Sequence, residues 1–217
     1  VLLMLTGLLI LQPDFGSSVI FWMLAWMIMF AGRVRVLHLG SAVLPLVPAA
    51  LLLIIVAPYR LDRIRILFNP WSDPLDKGYQ IVHSLMAFGS GGLFGKGFGQ
   101  GYQKLFYLPA AHTDFIFSII GEEGGLFWVF VILALFLVIL WRGIFIARAQ
   151  RECFGALLAL GLTVSIALQA ALNMGVTLSL LPTKGLTLPF LSYGGTSLIM
   201  NLAFIGILMN IWASGRK

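Results

Sequence analysis

Apolar residues fall in six runs, at about 1–11, 17–31, 39–57, 115–141, 154–174 and 194–213, separated by polar stretches that are short except at two places. A helix crossing a bilayer needs about 17–25 such residues, so the pattern predicts five or six spanning helices, the first of them cut short. The expected fold is all-α: a polytopic transmembrane helical bundle forming a single integral membrane domain over 1–217, with no tandem repeat and no linker to a second domain. The chain starts inside an apolar run, without an initiator Met or a charged leader followed by a small-residue cleavage site. That reads as the C-terminal portion of a longer protein.

The two long connections are expected to carry the chemistry, because extended loops on a helical scaffold usually do. The first, about 58–113, is rich in Gly, Pro and aromatics; within it 79–88 has apolar residues at Ile81, Leu85 and Phe88 and reads as a short helix that lies flat or re-enters the membrane. The second, about 175–193, leads into the apolar but Pro- and Gly-broken stretch 181–197. Broken backbone is not tolerated against lipid, so this stretch must pack in protein or line a wet cavity.

Hydrophobic residues make up 60% of the chain and charged ones 10%, far from the soluble balance of roughly 45–50% and 25%. Short cytoplasmic loops collect Lys and Arg. One orientation puts Arg33, Arg35, Arg142, Arg148, Arg151, Arg216 and Lys217 inside against Glu152 alone, with seven cations and seven acids outside, so the whole net charge of +6 lies on the inner face. The basic balance is thus a topology signal, not a nucleic-acid footprint. Cys153 is the single cysteine and forms neither an intrachain disulfide nor a multi-Cys zinc site; His38 lies across the membrane from His83 and His112, which argues against a histidine metal cluster.

Asp114 stands where the first long connection enters an apolar helix. A carboxylate at the bilayer edge is far cheaper than one at the centre, where insertion costs about 2.5–3.5 kcal/mol, so this position suits an ionised base beside a lipid-borne substrate. The plain alternative is a helix cap by Thr113 or Asp114. Glu122 lies about 12 Å deeper and about 80° around the same helix, with Glu123 on the opposite face. One of them faces a cavity below Asp114, orienting a substrate or pairing with Lys184, or else forms a buried tie between helices. His112 either orients a substrate or is an interfacial, hydrogen-bonded histidine. The Gly-rich stretch 88–101 matches neither phosphate-loop nor dinucleotide templates. It reads as a compact, mobile outer loop whose amides and Lys96 touch a pyrophosphate, or as a structural turn cluster. Asp14, in the turn 12–16, reads as a cap for the next helix, and Gln169, Asn173 and Asn201 as interhelix hydrogen-bonding groups.

Taken together, Gln12-Pro13-Asp14-Phe15-Gly16, Asn69-Pro70-Trp71-Ser72-Asp73-Pro74, Gly78-Tyr79-Gln80, His112-Thr113-Asp114-Phe115-Ile116-Phe117 with Glu122-Glu123, and Pro182-Thr183-Lys184-Gly185 with Ser192-Tyr193-Gly194-Gly195 closely resemble the SEDS family (shape, elongation, division and sporulation). Pro182 through Pro189 is similar to its cell-division branch. The resemblance implies a ten-helix fold of which this chain carries roughly the second half, and polymerisation of lipid II into glycan strands at the outer face of the bacterial cytoplasmic membrane, at the division septum. It implies that Asp114 is the essential residue and that Lys184 belongs to the site, with a class B penicillin-binding transpeptidase and other divisome membrane proteins as partners. Ala110 and Gly124 depart from the family pattern, where Glu and Leu are common.

The chemistry this implies needs a base for the attacking sugar hydroxyl and charge neutralisation for the undecaprenyl pyrophosphate that leaves. Asp114 is the expected base. Lys184, Lys96 and Arg60 are the expected clamps, with His112, Thr183 and Glu122 as further substrate contacts and no metal site of the protein's own, although a divalent ion such as Mg or Mn could share the neutralisation. The rival expectation is a lipid II flippase, which would line both leaflets with polar groups; here seven of eight acids lie outside. A scaffold that only binds the transpeptidase would not need Asp114 at a helix mouth.

Overall fold

The computed structural model describes residues 2–11, 15–44 and 58–215, and among these every regular element is helical. In chain order they are α1 (Leu2–Leu11), α2 (Phe15–Ala31), α3 (Val36–Val43), α4 (Pro58–Phe68), a 3₁₀ turn (Pro70–Ser72), α5 (Tyr79–Gly91), a π-helical turn (Gln103–Tyr107), α6 (Ile116–Ala149), α7 (Cys153–Thr177) and α8 (Gly195–Ser214). Three of them, α6, α7 and α8, are long and apolar enough to cross a membrane, and α2 is a shorter apolar helix. The span expected at 39–57 falls mostly on residues 45–57, outside the described residues, as do 12–14 in the first turn.

Helix α6 runs 34 residues, about 50 Å at 1.5 Å per residue, against a hydrocarbon core of about 30 Å. The apolar run predicts a helix ending near Trp141; the helix continues to Ala149. An Arg near a helix end lays its stem along apolar surface and complements the negative C-terminal dipole, so Arg142, over the Trp141 ring, and Arg148, in the last turn, do not stop it. Helices α6 and α7 form an antiparallel hairpin across 150–152. Asp114 and the end of α7 therefore share one end of the bundle, while Arg148 and Arg151 lie at the other. The pair packs closely at Gly143, where a Cβ would stand 2.1 Å from Thr163 Oγ1, as small residues permit between apolar helices. Buried Thr163 satisfies its hydroxyl on Ala159 O at 2.7 Å.

The first long connection packs against α6. Ser84 Oγ meets Ser118 Oγ at 2.6 Å, Phe88 packs edge-on against Phe117, and Gly91 lies against the backbone of Gly121 and Glu122. Residue numbers rise together along both helices, so α5 descends beside α6 in the same direction. Its continuation meets α6 where Gly125 (φ 69°, ψ −171°) interrupts the helix. There the carbonyls of Gly92 and Leu93 accept from the N–H groups of Leu126 and Phe127 at 3.0 and 3.2 Å, and the N–H groups of Lys96 and Gly97 donate to the carbonyls of Glu122 and Glu123 at 3.0 and 2.9 Å. The strap thus supplies hydrogen-bond partners to backbone at the break, the condition under which interrupted helices persist at membrane depth. Gly125 lies about 14 Å along α6 from Ile116. Residues 79–91 form a helix packed along α6, and the Gly-rich stretch that follows is a strap hydrogen-bonded to the break in α6.

Candidate active site

Asp114 is presented by a tight turn. Ala110 adopts φ 55°, a left-handed conformation that disfavours a side chain by about 1–2 kcal/mol, and its carbonyl collects the N–H groups of Thr113, Asp114 and Phe115 at 3.1, 3.1 and 3.3 Å. The turn is pinned by a small cluster of Leu108, Ala111, Phe115 and Ile119. Helix α6 is capped by Phe115 with no side-chain cap hydrogen bond, and Thr113 Oγ1 donates back to Ala110 O at 3.2 Å. Neither Thr113 nor Asp114 caps the helix. The half-buried Asp114 carboxylate joins none of the ion pairs among the described residues, which engage Asp62, Glu122 and Glu123. Its burial raises the carboxyl pKa above the usual aspartate value.

The broken segment after α7 closes over this turn. Leu188 and Pro189 are fully buried, Leu188 packing with Phe117, Ile166 and Met174. A fully buried Leu contributes about 1.5–3 kcal/mol, enough to anchor a stretch without regular structure. Asn173 Nδ2 donates to Asp114 O at 2.7 Å and to Leu186 O; Ser192 Oγ donates to Thr113 O and accepts from Leu188 N–H, each at 2.6 Å; Tyr193 N–H donates to His112 O at 2.9 Å. Gln169, one turn before Asn173, holds Thr187 through its carbonyl and hydroxyl at 3.0 and 3.1 Å. This brings Gly185 against the carboxylate: a Cβ there would stand 3.0 Å from Asp114 Oδ2. Arg63 of α4 donates to Thr183 O at 2.7 Å, and beside this contact opens a cleft of about 480 Å³ lined by Asp62, Arg63, Lys77, Tyr79, Pro109 and Thr183 among others.

Several expected site residues take other places. Glu122, fully buried, pairs with Lys96 at 2.8 Å, not with Lys184, and accepts the N–H groups of Tyr102 and Gln103 at 3.1 and 3.0 Å. It is a tie to the strap, which also engages the Lys96 ammonium as its counter-charge. Glu123 reaches the same strap, pairing with Lys104 at 2.6 Å and accepting from Gly99 N–H at 2.9 Å. The opposite-face expectation assumed that the only neighbours were beside a regular helix, whereas the loop wraps the break. Lys184 Nζ lies 2.9 Å from Ser17 Oγ at the start of α2, its stem against Gly16. Thr183 lines the cleft, and His112 is exposed at the rim of the turn. Arg60 falls in the first turn of α4 with its side chain outside the described residues. Among those residues no group of three His, Cys, Asp or Glu gathers to hold a metal. The reading of the sequence missed Arg63 and Ser192, and gave Asn173 only an interhelix role; its four-residue spacing from Gln169 was the available signal.

A family model described as "Cell cycle protein", covering FtsW, RodA and SpoVE, matches residues 1–217. The chain is 47% identical over 213 residues to the probable peptidoglycan glycosyltransferase FtsW of Trichlorobacter lovleyi, covering 98% of this chain and 56% of that protein. It is 45% identical over 210 residues to that of Coxiella burnetii, covering 95% and 56%. The chain therefore spans little more than half the length of these relatives. Among solved structures it is similar to a chain of a peptidoglycan synthase complex described as coordinating polymerization and crosslinking, with a TM-score of 0.76 at 29% identity over 99% of this chain and 60% of that one. It is also similar to a point mutant of the rod-shape-determining protein RodA of Thermus thermophilus, with a TM-score of 0.64 at 28% identity over 98% and 54%.

Proposed function

The chain belongs to the family of FtsW, RodA and SpoVE cell cycle proteins, and from that premise we propose that it is the catalytic part of a peptidoglycan glycosyltransferase that polymerises lipid II at the outer face of the cytoplasmic membrane, at the division septum. The observation that carries the reading is the state of Asp114. It is a half-buried carboxylate at the mouth of a spanning helix that makes no cap hydrogen bond or ion pair among the described residues and lies against a segment held in place by buried polar groups.

In this reaction a sugar hydroxyl attacks the anomeric carbon of a second disaccharide, and undecaprenyl pyrophosphate leaves. Asp114 accepts the hydroxyl proton, and the raised pKa that burial gives it strengthens it as a base. The pyrophosphate needs positive charge more than a proton. Lys184, on the same segment that covers Asp114, supplies it, with Thr183, Arg60 and the exposed His112 as further contacts. A divalent ion such as Mg or Mn fits this site only through Asp114 and substrate oxygens, since magnesium is commonly held by one or two carboxylates plus phosphates. It would add charge neutralisation. The partner is a class B penicillin-binding transpeptidase within the divisome, consistent with the assembly described for the similar synthase complex.

The test is the full-length protein, purified with its transpeptidase partner and supplied with lipid II. Glycan strands of increasing length are the expected product, and lipid II recovered unchanged from such a preparation rules the reading out.

A further inference from the structure

We propose that Asn173 is a positioning residue for Asp114, acting on its backbone and not on substrate; the inference rests on the glycosyltransferase reading of the site. Asn173 is 1% exposed, and its single amide nitrogen donates to two carbonyls from separate parts of the chain, Asp114 O at 2.7 Å and Leu186 O. At the start of α6 the Ser118 N–H closes onto Phe115 O at 3.0 Å, and Asn173 supplies the donor for the carbonyl just before it. The amide's orientation is forced, since turning it over would aim an oxygen at two carbonyl oxygens. The consequence is visible: Oδ1 is buried with no partner among the described residues. An unmet buried acceptor destabilises a fold. An apolar residue packed there would avoid it, so what Asn173 contributes is its two-way donor.

The surroundings make the donor a register device. Three consecutive carbonyls, of His112, Thr113 and Asp114, are each held by a different group: Tyr193 N–H at 2.9 Å, Ser192 Oγ at 2.6 Å and Asn173 Nδ2 at 2.7 Å. The same Asn173 fixes Leu186, next to the Gly185 that lies against the Asp114 carboxylate. It therefore sets both the base and the wall facing it. Displacement of about 1 Å at a reacting group can slow chemistry roughly a hundred-fold. Gln169 is the internal control: on the same face of α7 one turn away, it holds the same segment through Thr187 but makes no bond to the Asp114 turn.

The experiment compares Asn173→Leu, Ser192→Ala and Gln169→Leu in the full-length protein with its partner, by hydrogen exchange over 110–115 and by kcat and KM on lipid II. Faster exchange across 110–115 is expected in Asn173→Leu and Ser192→Ala but not in Gln169→Leu, with kcat down roughly ten-fold or more in Asn173→Leu and KM within about two-fold. If Asn173→Leu does not fold, Ser192→Ala carries the same expectation at smaller size. Unchanged exchange, or equal kcat losses in the Asn173 and Gln169 variants, overturns the proposal. Faster exchange in a protein whose wild type makes no glycan sustains the latch and removes the glycosyltransferase reading instead.

Discussion

Lys96 Nζ lies 2.8 Å from Glu122 Oε1, and the carboxylate it meets is fully buried beside the break in α6. The pair joins the descending strap to the helix it repairs. Removing one member of a buried pair strands the other charge, a loss of about 3–5 kcal/mol, whereas replacing both with neutral groups is far better tolerated. Because Lys96 keeps 29% of its side chain exposed, Lys96→Met is expected near the lower end, about 3 kcal/mol, and Lys96→Met with Glu122→Gln is expected to recover much of it. Thermal melting of the full-length protein in detergent checks this; equal melting temperatures for the wild type and Lys96→Met would show that the pair does not hold the strap.

The strap should also be intolerant of side chains where it crosses the break. Gly95 has φ 76°, and a Cβ there would stand 2.1 Å from Glu123 O, whereas nothing lies within 4 Å of a Cβ at Gly89. Gly95→Ala is expected to destabilise by several kcal/mol, combining about 1–2 kcal/mol of backbone strain with displacement of the strap from α6. Gly89→Ala, inside α5, is expected to be neutral or slightly stabilising. Melting temperatures of the two variants, compared side by side, decide it.

A gentler probe reaches the base itself. The Cβ added by Gly185→Ala would stand 3.0 Å from Asp114 Oδ2, and Gly185 is not among the residues with positive φ. The variant is expected to fold normally while the crowded carboxylate loses reach to its substrate. Lipid II turnover should fall roughly ten-fold or more at an unchanged melting temperature. Wild-type turnover would place the reacting carboxylate elsewhere.

The spanning helices were legible because lipid imposes a length and an apolar composition that leave a direct trace, and α6, α7 and α8 fall on the runs from 115, 154 and 194. Asp114 was legible by its place at a helix mouth, and the Pro- and Gly-broken segment by its need for cover. The partners of Glu122 and Glu123 were not. Helical geometry gives the angle between two residues, but which loop folds back against a helix depends on contacts distant in sequence, such as Lys96 with Glu122, 26 residues apart. The break at Gly125 was equally hidden, since the Gly124-Gly125 pair after Glu122 and Glu123 reads as tolerated helical residues until the strap's hydrogen bonds are seen. Asn173 looked like any polar residue in a span; its role depends on two carbonyls 59 and 13 residues away.

The central claim is that Asp114 works as an ionised base, and the most direct test is the pH dependence of lipid II polymerisation by the full-length protein, wild type against Asp114→Asn. Burial raises the folded-state pKa of this acid, so the base is lost as pH falls through that raised value. The wild-type rate should climb with pH along an acid limb whose midpoint lies above the usual aspartate value. Asn keeps the size of the side chain and cannot accept a proton. The Asp114→Asn protein, folded and bound to its partner, is expected to make no glycan at any pH; a variant that polymerises at the wild-type rate with the same acid limb would contradict the assignment.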